Sequence, residues 1–63
     1  MSTAKLTEKE VNFIADLLTH ESTACKKARL YAKTITDAEI SQTFCKIAEN
    51  HEKRFNSLLN VIS

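Results

Sequence analysis

Ile35-Thr36-Asp37-Ala38-Glu39-Ile40 interrupts two long amphipathic stretches and carries the signature of a helix start. Thr36 can accept a hydrogen bond from the amide of Glu39 while Glu39 reaches back to the amide of Thr36, the reciprocal arrangement of a capping box. Ile35 and Ile40 stand at the positions of a hydrophobic staple around it. The same pattern occurs earlier in Leu6-Thr7-Glu8-Lys9-Glu10-Val11, with Thr7 and Glu10 as the box and Leu6 and Val11 as the staple. Two helix starts and no other break predict two helices, about 8–33 and about 37–61, with a turn at 34–36. A turn this short folds the second helix back antiparallel on the first. The expected fold is all-α: one helical hairpin over residues 1–63.

Charge order agrees with this reading. Glu8, Glu10 and Asp16 open the first helix, and Lys26, Lys27, Arg29 and Lys33 close it. Acids near the N-terminus and bases near the C-terminus suit the helix dipole. The basic run reads as a solvated face beside the acidic start of the second helix.

At 100° per residue the apolar side chains gather into one arc per helix. The first arc holds Val11, Ile14, Leu17, Leu18, Ala24, Cys25, Ala28, Tyr31, Ala32 and Ile35. The second holds Ile40, Phe44, Ile47, Ala48, Phe55, Leu58, Leu59 and Ile62. Of these, Val11, Ile14, Leu18, Cys25, Ala28, Ile40, Phe44, Ile47, Phe55 and Leu58 are the expected core and interface. A hairpin of this size has no second layer to cover its seam, so two copies packing into a four-helix bundle is the expected assembly.

One polar residue interrupts each arc: Glu21 in the first, His51 in the second. Counted outward from the turn they stand level, so a carboxylate should face an imidazole inside an apolar seam. Buried charge is tolerated only when paired or coordinated. A Glu–His hydrogen bond is one reading. In a two-fold dimer the alternative is a metal site of two Glu21 and two His51, a ligand set that zinc or iron accepts.

Composition excludes other classes. The chain has no Gly and no Pro, which removes every phosphate-cradling loop and the nucleophile elbow. A net charge of +1 provides no field for nucleic acid or an anionic membrane. No run approaches the roughly 18 apolar residues of a membrane span, and the polar stretch 1–5 does not read as a targeting segment. Cys25 and Cys45 are too few for a disulfide scaffold, so free thiols in a reducing, intracellular compartment are expected. His20-Glu21-Ser22-Thr23-Ala24 and His51-Glu52-Lys53-Arg54-Phe55 each lack the second His of a zinc protease helix. No catalytic constellation is legible, and the chain is not expected to be an enzyme.

Leu6-Thr7-Glu8-Lys9-Glu10, Asp16-Leu17-Leu18 with Glu21, Tyr31-Ala32, Asp37-Ala38-Glu39-Ile40 with Phe44, Ile47-Ala48-Glu49-Asn50-His51-Glu52 and Phe55 together resemble the spore coat protein F-like family. These are short helical hairpins of spore-forming bacteria that look like halves of a ferritin-like bundle. Ferritin-like carboxylate proteins supply one Glu from the first helix of each half and a Glu-x-x-His from the second. Glu21 matches the first position, but His51 and Arg54 stand where the Glu and His would be. Arg stays protonated and cannot ligate a metal. The resemblance therefore implies a ferritin-like scaffold with a degenerate centre, used structurally, with a spore coat as the setting. Arg54, off the centre of the arc, is expected to pair with Glu21 of a neighbouring copy. Three roles follow as expectations: a self-associating structural protein, most simply a homodimer; a zinc or iron module built on Glu21 and His51; and an adaptor hairpin that offers its seam to a larger helical partner, a coat protein included.

Overall fold

The computed structural model describes residues 6–62; the polar stretch 1–5 lies outside them. The order is α1 (Glu8–Thr34) then α2 (Ala38–Ile62). The two helices pack along their length as a hairpin, and no strand occurs among the described residues. The expected ends, 33 and 61, fall one residue short, and the connection is 35–37 rather than 34–36.

The first capping box forms as read. Glu10 N–H donates to Thr7 Oγ1 at 3.1 Å, and Thr7 N–H donates to Glu10 Oε1 at 2.9 Å. Two of the orphan amide donors of the helix start are thereby satisfied.

The second start differs. Asp37, not Thr36, is the cap: its Oδ1 accepts the Ile40 N–H at 3.0 Å, and its carbonyl accepts the Ser41 N–H at 2.9 Å. Glu39 then falls at the second helical position and no longer spans the three residues that a box requires. A carboxylate satisfies the amide and also meets the positive end of the helix dipole, which a threonine hydroxyl does only weakly. The one-residue shift also dissolves the expected Ile35–Ile40 staple, and Ile40 is left 49% exposed.

α1 ends without glycine. Ile35 takes an extended conformation (φ −78°, ψ 127°) and its N–H closes on the Tyr31 carbonyl. The Thr34 hydroxyl lies 3.0 Å from the Leu30 carbonyl and 3.3 Å from that of Tyr31, so a side chain serves the last-turn acceptors that an αL residue would otherwise help satisfy. Ser41 Oγ donates to the Ala32 carbonyl at 2.6 Å, clipping the start of α2 to the end of α1.

Close approach of the helices is set by small residues. Ala48 is fully buried and Ala28 nearly so, and Cys25 Sγ lies 3.5 Å from the Ala48 carbonyl. Ile14, Leu18, Phe44, Phe55 and Leu58 line the same seam half-buried, and Tyr31 meets Phe44 edge to face with ring centroids 5.5 Å apart. Val11, Ile40 and Ile47, expected in the core or interface, are left uncovered by the hairpin itself. Two cylinders touch along a line, so residues on the shoulders of each arc stay open however apolar they are. Among the described residues no large side chain is fully buried.

Candidate functional site

Glu21 is the one buried charged residue among those described. It sits mid-way along α1 on the face turned to α2, one turn before Cys25 and two before Ala28. As counted from the turn, His51 stands opposite: its Nδ1 lies 2.5 Å from Glu21 Oε1. The third member is Arg54, one turn further along α2. Its Nε donates to Glu21 Oε2 at 3.3 Å, within the same chain.

Arg54 Nη2 also approaches His51 Nδ1 to 2.9 Å, and one ring nitrogen cannot donate to Glu21 and accept from Arg54 together. The Glu21 carboxyl is held below its ordinary pKa. The hydrogen bond from His51 is the largest cause, burial opposes it, and the charge and hydrogen bond of Arg54 reinforce it. Glu21 is therefore the anion, and we assign the Nδ1 proton to the bond with Glu21. The 2.9 Å approach is then two donors gathered around one acceptor group. A carboxylate has about four acceptor sites, and two are used here.

Glu21 and His51 offer one oxygen and one nitrogen ligand per chain. Among the described residues no group of three or more His, Cys, Asp and Glu that could hold a metal is found. The second side chain on the carboxylate is a guanidinium, which already supplies the positive charge and cannot ligate. The residues present do not fit the Glu plus Glu-x-x-His set of a ferritin-like carboxylate centre.

The hairpin has two distinct flanks. Arg29 and Glu52 form an ion pair at 2.5 Å across one of them, with more than half of each side chain exposed. Val11 and Leu59 lie on that flank by helical position. Tyr31 lies about 160° around α1 from Arg29, and Arg54 about 160° around α2 from Glu52, so both mark the other flank. Phe13, Leu17 and Tyr31 share it on α1, and Ile40 and Ile47 on α2; their exposures run from 36% to 58%. Leu30, 58% exposed, points away from both flanks.

His20 is exposed. Cys25 and Cys45 are free, the second exposed, and among the described residues no helix is long and apolar enough to cross a membrane. Sequence reasoning missed the Arg29–Glu52 pair, because long exposed side chains of opposite charge occur at many levels and no pattern selects this one. Comparisons with known protein families, with curated proteins and with solved structures found no match to this chain.

Proposed function

We propose that this chain is a structural module that self-associates: two hairpins packed by their apolar flanks into a four-helix bundle, with no chemistry of its own. The observation that carries the reading is the flank itself. Five large apolar side chains, Phe13, Leu17, Tyr31, Ile40 and Ile47, lie open on one side of a hairpin in which no large described side chain is fully buried. The flank is about 40 Å long and about 20 Å wide, from 1.5 Å per residue and two helix diameters, or roughly the 800 Å² per partner of a stable interface. Large apolar side chains left open together along one flank mark an interaction site.

The resemblance to spore coat protein F-like hairpins supports the setting, a larger protein layer such as a spore coat. It also supports reading Glu21, His51 and Arg54 as a degenerate ferritin-like centre kept for pairing and register. Sedimentation equilibrium across micromolar concentrations tests the proposal. The expected mass is twice the 7.1 kDa of one chain, with a melting temperature that rises with concentration. A folded monomer whose melting temperature ignores concentration overturns it. A chain that is molten alone and folds only with a different helical protein overturns it in favour of an adaptor.

A further inference from the structure

The open flank is patterned along its length. Within the chain Cys25 is level with Ala48, Ala32 with Ser41 and Glu21 with His51. Counting out from those contacts, Phe13 and Leu17 stand level with Val61 and Leu58 at the open end of the hairpin. Ala24 stands level with Ile47, and Tyr31 with Phe44 and Ile40 near the turn. Ile40, Ile47, Arg54 and Val61 recur every seven residues, the spacing of a helix seam that meets another helix. The flank therefore reads apolar, charged, apolar, with Arg54 open in its middle and Glu21 and His51 behind it in the seam, their side chains 11% and 19% exposed.

We infer that the flank is covered by a second copy related by a two-fold axis parallel to the helices, so that Arg54 of each chain reaches Glu21 of the other. The inference rests on the self-association proposed above and adds the orientation and the residues that set it. Two kinds of two-fold axis lie in such an interface. With the two hairpins fully overlapped, an axis perpendicular to the helices passes near their middle and lays α1 on α1 and α2 on α2, which sets Glu21 against Glu21 and Arg54 against Arg54. Like charges facing each other are strongly disfavoured. An axis parallel to the helices lays α1 of one copy antiparallel on α2 of the other, with levels preserved. Arg54 then lies over the partner's Glu21, Ile47 over the small Ala24, Tyr31 between Ile40 and Phe44, and Phe13 and Leu17 against Leu58 and Val61. The same surface meets itself throughout, as a two-fold interface requires.

The charge arithmetic also names the occupant. The Arg54 side chain is 55% exposed, and only its Nε is bonded to Glu21, at 3.3 Å. A purely apolar helix laid here would strip water from the guanidinium and return no acceptor. A second copy brings a carboxylate with unused acceptor sites to the same level, and the merged layer of two Glu21 and two Arg54 is neutral. A buried polar layer of this kind fixes register and partner at little net gain in stability.

Charge-reversed chains test this. In its homodimer E21R places four cations in the layer and R54E four carboxylates. Each should associate with itself more weakly than the wild-type chain does, and an equimolar mixture should pair preferentially. Native mass spectrometry is expected to show the mixed dimer over each homodimer by about tenfold or more, against the ratio of about two that random pairing gives. Random pairing, with each variant associating as the wild type does, overturns the shared layer and leaves self-association standing. A monomeric wild-type chain overturns both. Opposite charges meet in the mixed pair about either axis, so a half-labelled wild-type sample decides the orientation by intermolecular NOEs, and decides the shared layer as well should either variant fail to fold by circular dichroism. Contacts from the Arg54 side chain to the Leu17 or Ala24 methyls of the other copy are expected, and contacts between the two Arg54 side chains refute the orientation.

Discussion

Replacing Ala48 with leucine should be among the most damaging single changes in this chain. Ala48 is fully buried, Ala28 is 4% exposed, and Cys25 Sγ lies 3.5 Å from the Ala48 carbonyl. Nothing at that level has room for the three added carbons. Either the helices separate, which uncovers Phe44 one turn before and Phe55 two turns after, or the new side chain takes a strained rotamer. Overpacking of a closed contact costs about 1–3 kcal/mol. In a domain of roughly this size each kcal/mol moves the melting temperature by about 4–8 °C, so A48L should melt about 8–16 °C lower for a mid-range cost of about 2 kcal/mol. The control is A15L. Ala15 is exposed on α1, and a surface change of this kind stays within about 0.5 kcal/mol. Both are followed by circular dichroism at 222 nm at one fixed protein concentration. An A48L chain that melts with or above the wild type means that the helices are not held in contact at the two alanines, and the seam described here is wrong.

Acid should weaken the fold through Glu21. Its carboxyl is held below the ordinary value, chiefly by the hydrogen bond from His51, so the stabilisation is full above about pH 4.3 and is lost as the pH falls through the lowered value. E21Q should melt lower than the wild type at pH 7, with the gap closing in acid; a gap that does not change with pH refutes the charged pairing. At the turn, D37A should lose about 1 kcal/mol of stability, while T36A should lie within about 0.5 kcal/mol of the wild type. The reverse order in denaturant melts would restore Thr36 as the cap.

The hairpin was legible because its causes are local. Thr7 and Glu10 lie three residues apart on one chain segment, and the box they form needs no partner from elsewhere. The meeting of Glu21 and His51 was also legible, since a short turn and a fixed rise per residue make level a matter of counting. The second cap was less so: Thr36 and Asp37 are both good caps on adjacent residues. The choice falls to Asp37 where the turn clips Ser41 to Ala32.

The amino-acid sequence by itself determined the two helices, their antiparallel return and the single polar level in an apolar seam, because periodicity, capping and rise act within a few residues. Only the tertiary structure decided that Arg54 turns to Glu21 of its own chain, that the alanines hold the closest approach, and that Ile40 and Ile47 stand open on the flank with Tyr31. Those outcomes depend on the angle at which one cylinder meets the other, and that angle is a property of the packed pair, absent from either helix alone.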